Sequence, residues 1–492
     1  MDNTWFEKME ERIPRGEVRT RFAPSPTGYM HVGNLRTALY TWCIARHAHG
    51  KFLLRIEDTD QSRQVEGAVE VIYKTLRDCG LDHDEGPDVG GPVGPYVQTE
   101  RRDTYLPYAK RLVERGHAYY CFCDKTESEE DSGDFTRKDD PCRDLSAEEV
   151  QRRLDAGMPW VIRQKIPHEG ETTFHDEIFG DITAPNADLD DQVLIKRDGL
   201  PTYNFANVID DHLMGITHVV RGSEYLSSAP KYNLLYEGLG WDVPSYVHCS
   251  PVMRDAHNKM SKRHGDPSYE DLIAQGYLSE AVVNYVALLG WAPGGEREIY
   301  SLPELVEAFD IKGISKSPAI FDPLKLRAIN AEYIRRLSPE EFQKKAEPWI
   351  DKAVHTSIDK KLLCANLQPR CEVLGEIPEQ LDFFDAMPEY DVSMYANKKQ
   401  KTTSETAKEA LEALLPVLSD EALDFGNRDA VFDACKAKAE ELGKKNGWLL
   451  YPLGIALSGK QRTPGGGTDL ACMMGRETTL ARVKAAIEKL NG

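Results

Sequence analysis

The fold of this chain is decided by residues 18–34, VRTRFAPSPTGYMHVGN. Apolar and β-branched residues at 18–22 predict a short strand, which the proline-rich segment 24–28 ends in a loop. An apolar stripe at the i, i+3, i+4 and i+7 positions of a helix follows: Leu35, Ala38, Leu39 and Trp42. Asn34 is the expected N-cap of this helix. A strand, a loop and a helix in this order are typical of a parallel α/β sheet.

The same alternation continues downstream. Residues 52–56, FLLRI, predict a buried strand that ends at the acidic turn 57–60. A second helical stripe comes next: Val65, Ala68, Val69, Ile72 and Leu76. The order β-loop-α-β-α predicts an α/β fold with a Rossmann-type doubly wound parallel sheet, in which ligands bind where the strands end.

Composition excludes several classes of protein. With 492 residues, 41% of them apolar and 29% charged, the chain is expected to fold into several globular domains. No segment approaches the run of about 20 apolar residues that a membrane span needs. Ten cysteines without a signal peptide are typical of reduced thiols in the cytoplasm. The net charge of −20 is a weak objection to a polyanionic partner, because binding depends on local clusters of Lys and Arg.

The character of the sequence changes twice. Near residue 116 it becomes acidic and cysteine-containing, which indicates an insertion, and Ser146 with Glu149 predicts a helix start within it. Beyond about residue 300 strand patterns become rare and helix starts multiply, at Ser301 and Ser338 for example. A leucine stripe predicts another helix there: Leu411, Leu414, Leu415 and Leu418. The last third of the chain is therefore expected to be helical.

Two segments are candidates for nucleotide binding. In the first loop, Gly28 and Gly33 let the backbone approach a nucleotide, the helix N-terminus offers free N–H groups, and His31 can donate a hydrogen bond to a phosphate. The basic segment 259–263, KMSKR, carries three cations that suit a triphosphate. Taken separately, each segment has an ordinary alternative, which is a capping histidine in the first and a solvated basic turn in the second.

Together the two segments resemble the paired signatures of class I aminoacyl-tRNA synthetases. Longer stretches narrow the resemblance to bacterial-type glutamyl-tRNA synthetases: residues 21–28 (RFAPSPTG), 55–60 (RIEDTD) and 201–212 (PTYNFANVIDDH). The resemblance is close from residue 18 to about residue 335 and looser beyond. It implies an enzyme that uses ATP with Mg²⁺ to join L-glutamate to the 3′-terminal ribose of tRNA-Glu.

The resemblance also implies which residues bind the amino acid: Arg21, Ser25, Glu57, Tyr203, Asn207 and Arg221. Arg21 and Arg221 match positions that hold the side-chain carboxylate, and Glu57 matches the position that receives the α-amino group. These residue types are physically consistent, because glutamate needs cations for its side chain and a carboxylate for its ammonium group. For Arg21 the alternative is a salt bridge at the strand end with an acid at 57–60.

For ATP, the implied contacts come from both signatures: His31, Gly33, Asn34, Lys259, Ser261 and Lys262. In the family mechanism the α-carboxylate of glutamate attacks the α-phosphorus of ATP, and a ribose hydroxyl of tRNA then attacks the mixed anhydride. No protein nucleophile is required. The catalytic residues are then His31, Lys259 and Lys262, which stabilise negative charge on the phosphates and on the leaving pyrophosphate.

Three cysteines of the insertion resemble a zinc knuckle that some members of the family carry. Cys121, Cys123 and Cys142 match three ligands, and Asp144 stands where a histidine ligand is usual. Three thiolates and a carboxylate are an unusual but workable set for Zn²⁺. The alternative is an insertion without metal, in which the thiols stay reduced.

Gln368 and Arg370 are the candidates for anticodon recognition in the helical region. Gln368 aligns with an arginine that discriminating members of the family tend to show, which indicates an enzyme that also charges tRNA-Gln. The polarity of an exposed helix explains Gln368 equally well.

The resemblance implies five regions: 17–115 and 196–255 for the two halves of the Rossmann-type catalytic domain, 116–195 for an inserted acceptor-stem-binding subdomain, 256–335 for a stem-contact region with the KMSKR loop, and 336–492 for an all-helical anticodon-binding domain. We expect a cytoplasmic monomer that binds no membrane.

The alternative functions are those of a glutaminyl-tRNA synthetase, of a short relative that glutamylates a modified tRNA base, and of a catalytically inactive tRNA-binding paralogue. Arg221 suits a carboxylate better than an amide, which argues against the first, and the long helical region argues against the second. Intact signature residues argue against the third.

Overall fold

The computed structural model describes residues 3–28, 30–60, 64–123, 140–260 and 265–492. Ser261 and Lys262, both expected at the ATP site, therefore lie outside the described residues. The chain divides into two compact units, which are formed by residues 1–271 with 282–322 and by residues 272–281 with 323–492.

The elements up to residue 322 are both helices and strands. In chain order they are α1 (Asn3–Glu11), β1 (Arg19–Phe22), α2 (Val32–His47), β2 (Lys51–Leu54), α3 (Ala68–Asp78), α4 (Arg102–Glu114), β3 (Ala118–Cys121), α5 (Ala147–Asp155), β4 (Val161–Gln164), β5 (Glu171–Asp176), β6 (Gly180–Pro185), β7 (Val193–Ile195), α6 (Tyr203–Leu213), β8 (His218–Gly222), α7 (Ala229–Leu239), β9 (Ser245–Cys249), β10 (Val252–Met253), α8 (Tyr269–Ala274), α9 (Ser279–Ala287), α10 (Leu302–Ala308) and β11 (Ala319–Ile320).

The core of the first unit is a six-stranded sheet in the order β2-β1-β8-β9-β5-β6. Neighbouring strands pair in parallel, except that β5 and β6 form an antiparallel hairpin at one side. The predicted α/β fold with a doubly wound, mostly parallel sheet is confirmed. The carboxyl ends of β1, β2, β8 and β9 meet at one edge, where open sheets of this kind bind their ligands.

Helix α2 confirms the predicted apolar stripe, but the predicted N-cap is wrong. All four stripe residues are buried, as the spacing requires. The helix begins at Val32, and His31 occupies the N-cap position with extended backbone. An antiparallel bridge between His31 and Ser268 accounts for this, because it holds residue 31 extended and leaves Asn34 in the first turn. Similarly, Val65 lies outside α3, which begins only at Ala68.

The segment predicted as an insertion builds a small sheet of its own. Strands β3, β4 and β7 form this antiparallel sheet, and α5 begins where expected, with Ser146 Oγ accepting a hydrogen bond of 3.2 Å from the backbone N–H of Glu149. The hairpin of β5 and β6 belongs to the same segment of sequence but joins the large sheet beside β9. This hairpin was not foreseen, and it brings residues of the insertion to the large sheet.

The second unit is helical, as predicted. Its further helices are α11 (Pro323–Arg336), α12 (Pro339–Ile350), α13 (Lys360–Leu367), α14 (Ile377–Leu381), α15 (Ser404–Ser419), α16 (Arg428–Glu441), α17 (Asn446–Ser458) and α18 (Gly467–Leu490). Ser338 begins α12 through a reciprocal capping box with Glu341. In the first unit, Ser301 begins α10, and its backbone N–H and its hydroxyl both donate hydrogen bonds to the carboxylate of Glu304. Within the described residues, the helices all fall short of the length and apolar character that crossing a bilayer requires.

Candidate functional site

A cavity of about 390 Å³, here called the central cavity, opens at the carboxyl edge of the large sheet. Its walls come from the segments that follow β1, β2, β8 and β9 and from the first turn of α2. Many of the predicted site residues line it: Arg21, Ser25, Gly33, Asn34, Glu57, Tyr203, Arg221 and Lys259. Gly33 and Asn34 of the first signature segment and Lys259 of the second therefore border the same cavity.

Lys259 reaches the central cavity at the end of a turn built on Asp255. One carboxylate oxygen, Oδ1 of Asp255, accepts hydrogen bonds of 2.9 Å from the backbone N–H groups of His257 and Asn258. Lys259 then pairs with Met253 across the turn, which places the exposed lysine beside the cavity. The sequence indicated a basic turn, and the Asp255 cap is the local reason for its shape.

His31 and Asn207 do not line the central cavity among the described residues. His31 is the N-cap of α2 without a side-chain cap bond, so the structure places it at the helix N-terminus that the sequence assigned to phosphate. Asn207 is buried, and its Nδ2 donates a hydrogen bond of 3.0 Å to the carbonyl of Tyr203. Asn207 therefore stands behind Tyr203, whose ring lies at the cavity wall beside Tyr225.

Arg21 is held by a carboxylate that the sequence did not single out. Its Nε and Nη2 donate hydrogen bonds of 3.0 and 3.1 Å to the two oxygens of Asp211 on α6, and its Nη1 donates to the carbonyl of Val220 at 3.2 Å. The salt-bridge partner is thus Asp211 and not an acid at 57–60. Arg55 contacts the same carboxylate at 2.8 Å. Burial works against ionisation of Asp211, but the charges of Arg21 and Arg55 prevail and lower its pKa.

One of the two buried carboxylate oxygens of Glu57 accepts no hydrogen bond from the described residues. Its Oε1 accepts hydrogen bonds from Arg55 Nη2 at 2.9 Å and from Gln98 Nε2 at 3.4 Å. Its Oε2 has no hydrogen-bond partner within the described parts of the chain. Burial raises the pKa of Glu57, against the opposing charges of Arg55 and Arg21. A cationic group of a ligand would satisfy this oxygen and favour the ionised carboxylate.

Arg221 presents the complementary group. It is 6% exposed, and its Cζ lies 4.5–5.5 Å from the ring centroids of three tyrosines: Tyr225, Tyr232 and Tyr246. Its Nε donates a hydrogen bond of 3.1 Å to Nε2 of His248. Its Nη2 has no partner among the residues that the structure describes. The central cavity therefore offers one anion and one cation, each with an unused buried atom, to a ligand that carries the opposite charges.

A buried ionic network beneath the central cavity was missed by the sequence reasoning. Asp210 and Asp211 of α6 pair with three arginines: Arg21, Arg55 and Arg101. The available signal was the pair of adjacent acids beside the apolar residues Val208 and Ile209, because acids buried there must be matched by cations. The network fixes both Arg21 and Arg55, and through Arg55 it fixes Glu57.

The three cysteines of the insertion meet one carboxylate. The ligand atoms of four residues lie within 4.8 Å of one another: Cys121, Cys123, Asp140 and Cys142. The Sγ atoms of Cys123 and Cys142 are 3.7 Å apart. Two thiolates at about 2.3 Å from a tetrahedral Zn²⁺ would be separated by nearly this distance.

Asp144, the expected fourth ligand, lies elsewhere. It is exposed, and its carboxylate pairs with Nζ of Lys165 at 2.8 Å. Asp140 takes the place beside the thiols because its Oδ1 accepts a hydrogen bond of 2.9 Å from the backbone N–H of Cys142. This bond ties the carboxylate to the same turn as the third cysteine, which is a local geometry that residue spacing alone does not specify.

A larger cavity, of about 830 Å³, lies in the second unit beside α16, α17 and the N-terminus of α18, and is here called the helical-unit cavity. Its cationic lining residues are Arg370, Arg428, Lys460 and Arg462. Gln368 is not among the lining residues. The side-chain amide of Gln368 donates hydrogen bonds to the carbonyls of Ile334 and Leu337, at 3.0 and 2.8 Å, near the end of α11. Of the two anticodon candidates, only Arg370 therefore borders this cavity.

Comparisons with known proteins agree with this arrangement. Residues 17–328 match the family described as tRNA synthetases class I (E and Q), catalytic domain, and residues 332–487 match an anticodon binding domain. Over 481 residues the chain is 58% identical to a glutamate–tRNA ligase of Clostridium botulinum (strain Hall), covering 96% of this chain and 99% of the relative. A glutamate–tRNA ligase of Clostridium tetani is 56% identical over 480 residues, covering 96% and 98% respectively.

A solved structure supports the same relationship over most of the chain. The crystal structure of a glutamate tRNA ligase from Elizabethkingia meningosepticum, in complex with its amino acid, is 34% identical and superimposes with a TM-score of 0.87. The match covers 96% of this chain and 100% of that one.

Proposed function

Because this chain belongs to the class I tRNA synthetases of the glutamate and glutamine type, and is a glutamate–tRNA ligase, we propose that the central cavity activates L-glutamate. One observation carries the proposal. Two buried, oppositely charged atoms, Oε2 of Glu57 and Nη2 of Arg221, have unused hydrogen-bonding capacity in the same cavity. Glutamate carries one ammonium group and one side-chain carboxylate, which would satisfy both atoms at once.

The orientation of glutamate follows from these charges. The ammonium group would donate to Glu57, and the side-chain carboxylate would accept from Arg221, with Arg21 adding the N–H groups that Asp211 and Val220 leave unused. Ser25 and Tyr203 also line the cavity, and Asn207 donates a hydrogen bond to the backbone carbonyl of Tyr203. This arrangement leaves the α-carboxylate as the group that is free to react.

ATP, which class I synthetases use with Mg²⁺, would occupy the part of the central cavity beside α2. Gly33 and Asn34 belong to the first turn of this helix, whose free backbone N–H groups and dipole favour phosphate. His31 at the N-cap and Lys259 from the turn on Asp255 add donors and charge. Ser261 and Lys262 complete the proposed set on sequence grounds. Mg²⁺ suits such a site because it takes oxygen ligands chiefly from the phosphates and water.

In the proposed reaction, an oxygen of the glutamate α-carboxylate forms a bond to the α-phosphorus as the bond to pyrophosphate breaks. A terminal ribose hydroxyl of tRNA then attacks the carbonyl carbon of the adenylate, loses its proton, and AMP leaves. The side chains hold the reactants in line and offset negative charge, with His31 near the reacting phosphate and Lys259 and Lys262 at the leaving pyrophosphate.

We propose that the acceptor stem contacts region 116–195, that region 256–335 contacts the stem further along, and that region 336–492 binds the anticodon. The helical-unit cavity supports the last assignment, since cations and a helix N-terminus line it. Arg370 is the proposed base contact. Gln368 would act differently, since its amide already binds the end of α11 and does not supply the cation found in discriminating members.

We propose that this ligase charges tRNA-Gln with glutamate as well as tRNA-Glu, because Gln368 replaces that cation. Glutamylation of both purified tRNAs, measured at equal concentrations, tests the idea. Comparable charging of the two is the expected result. Strict rejection of tRNA-Gln would contradict it.

We propose that the insertion binds Zn²⁺ through Cys121, Cys123, Cys142 and Asp140. The donor set fits in distance and in charge, since three thiolates and one carboxylate exceed the charge of the ion and two cations stand nearby. Arg163 lies 3.4 Å from Asp140, and Arg153 lies 4.0 Å from the Sγ of Cys142. The metal would fold the end of β3 against the turn at 140–142 and would take no part in the reaction.

The cytoplasm is the proposed compartment, since the ten cysteines, all within the described residues, form no disulfide. A monomer is proposed on sequence grounds, and light scattering on the purified protein tests it. A glutaminyl-tRNA synthetase is not favoured, because the relatives are glutamate–tRNA ligases and Arg221 suits a carboxylate.

Arg221→Gln tests the proposed glutamate site. With tRNA present, the KM for glutamate in ATP–pyrophosphate exchange should rise tenfold or more, because a charge-assisted bond to the substrate carboxylate is lost. Arg77→Gln, on the exposed face of α3, is the matched control and should leave this KM unchanged. An unchanged KM in Arg221→Gln would remove Arg221 from the site.

A further inference from the structure

The guanidinium of Arg221 is oriented by a directional contact with His248. The three tyrosine neighbours of Arg221 present ring faces and edges, and such contacts attract a cation without fixing the rotation of its plane. The hydrogen bond from Nε to Nε2 of His248, at 3.1 Å, does fix this rotation. When Nε points at His248, the Nη atoms at the other end of the fork are available to a ligand.

His248 can accept this bond only in one protonation state. It is fully buried on β9, and its Nδ1 lies 2.6 Å from Oδ2 of Asp176. A carboxylate can only accept, so Nδ1 carries the hydrogen, and Nε2 of the neutral ring is left as an acceptor for Arg221. In a cationic ring, Nε2–H would face Nε–H of Arg221, with two donors and two positive charges in contact.

Asp176 is fixed in turn by the hairpin of β5 and β6. Its Oδ1 accepts hydrogen bonds of 2.9 and 2.8 Å from the backbone N–H groups of Ile178 and Phe179. Its Oδ2 also accepts from the backbone N–H of His248 at 3.1 Å. Both oxygens are thus occupied by donors, so the carboxylate cannot rotate away from the histidine. Asp176 pairs with Tyr246 in the parallel ladder, which sets the hairpin beside β9.

We propose that His248 and Asp176 are positioning residues for the selection of glutamate, an inference that rests on the proposed role of Arg221. Asp176 fixes the tautomer of His248, and His248 fixes the rotation of the Arg221 fork, so that Nη2 meets the side-chain carboxylate. Neither residue lines the central cavity among the described residues. Their effect on the substrate passes entirely through Arg221.

The orientation matters for the choice between glutamate and glutamine. A fixed fork of two N–H groups pairs with two carboxylate oxygens, whereas a side-chain amide offers one oxygen and places its N–H₂ group against a donor. If the fork can rotate, it can turn one N–H away from the amide nitrogen and the penalty against glutamine falls. Loss of the His248 acceptor should therefore weaken glutamate binding and also reduce discrimination between glutamate and glutamine.

Two substitutions of His248 separate positioning from simple packing. In His248→Gln, the amide oxygen can stand near the place of Nε2 and still accept from Arg221. In His248→Asn, the amide stands near the place of Nδ1, keeps the donor to Asp176 and offers no acceptor to Arg221. Asp176→Asn is the third variant, because an amide there faces donors on both sides and favours the tautomer that carries hydrogen on Nε2.

The experiment measures KM and kcat for glutamate, glutamine and ATP in tRNA-dependent ATP–pyrophosphate exchange. We expect His248→Asn and Asp176→Asn to raise the KM for glutamate about tenfold or more and to narrow the ratio of kcat/KM between glutamate and glutamine. The KM for ATP and the kcat at saturating glutamate should change less than about threefold, because neither residue is placed at the phosphates. His248→Gln should recover most of the glutamate affinity.

His175→Asn is the matched control, because this neighbouring residue forms an exposed pair of 2.6 Å with Asp181 on the same hairpin. Arg221→Gln is measured alongside. If Arg221→Gln leaves the KM for glutamate unchanged, the proposed function of the cavity fails. If Arg221→Gln raises the KM but His248→Asn and Asp176→Asn do not, only the positioning role is overturned. The positioning role would also be overturned if the KM for glutamate and the KM for ATP rose equally and His248→Gln recovered neither.

Discussion

Replacement of Glu57 by glutamine removes one negative charge from the central cavity with almost no change of shape. In Glu57→Gln the amide oxygen would still stand where Oε1 accepts from Arg55 and Gln98, so the local packing should be kept. What changes is the second oxygen, Oε2, which lacks a partner among the described residues and which we assign to the ammonium group of glutamate. In the variant, an amide N–H₂ group would face that ammonium group.

The expected loss follows from the burial of this contact. A hydrogen bond to a charged group contributes about 1.5–3 kcal/mol, which corresponds to a decrease of roughly 10- to 150-fold in kcat/KM for glutamate. The KM for ATP should change little, because the proposed phosphate contacts lie on α2 and at Lys259. Stability should not fall at neutral pH. Burial raises the pKa of Glu57, which means that ionisation of Glu57 costs more free energy in the folded protein than in the unfolded chain, and a neutral amide avoids this cost.

The assay is ATP–pyrophosphate exchange with tRNA present, at varied glutamate and saturating ATP, together with a thermal melt of each variant. Glu66→Gln, at an exposed position before α3, is the matched control. The reasoning is refuted if Glu57→Gln keeps the glutamate kcat/KM of the unmodified enzyme. It is also refuted if the variant loses glutamate and ATP affinity equally while its melting temperature falls, because Glu57 would then be structural.

Three further outcomes are expected. The kcat/KM for glutamate should fall as pH decreases, with a midpoint above the ordinary pKa of a glutamic acid, because burial raises the pKa of Glu57 and protonation removes the negative charge proposed to hold the ammonium group. This acidic limb should be missing from the pH profile of Glu57→Gln, and its persistence there would assign it to another residue. Lys259→Ala should lower the rate of exchange about tenfold or more while the fold stays intact by circular dichroism, because we propose that Lys259 offsets charge on the leaving pyrophosphate. An unchanged rate would remove Lys259 from the site. The zinc content is measured by elemental analysis after purification without chelator. It should fall below stoichiometric amounts in Asp140→Ala and stay unchanged in Asp144→Ala. The reverse result would restore Asp144 as the ligand.

Local sequence patterns predicted the elements of the fold well, because the decisive interactions are local. The apolar stripe of α2, the Ser146 cap and the helix starts at Ser301 and Ser338 all depend on residues within about two turns of one another. The N-cap of α2 was wrong for the opposite reason. The bridge that holds His31 extended comes from Ser268, far along the chain.

The candidate site shows the same division between local and distant information. Residue types at Arg21, Glu57 and Arg221 indicated their charges, but the partners that hold them come from other elements. Asp211 lies on α6 and His248 on β9, and nothing in the spacing of the sequence pairs them with these arginines. A buried charge needs a partner, so the existence of partners could be predicted, but their identity required the sheet topology.

The hairpin of β5 and β6 is the clearest case of information that only the fold supplies. Its sequence lies between strands of the small sheet, which favoured placing the whole segment in one inserted subdomain. Strand β5 instead pairs with β9 through Asp176 and Tyr246. The large sheet has an open side at β9 that another strand can cover, and the hairpin also buries Asp176 against His248.

The net charge of −20 does not oppose binding of tRNA, because the charges of the helical-unit cavity are arranged locally. Asp469 is its acidic lining residue, and both of its oxygens are occupied, by Arg428 Nε at 2.9 Å and by the backbone N–H of Gly466 at 2.7 Å. Arg370 and Arg462 are exposed and form no ion pair among the described residues. These two cations remain available to phosphate.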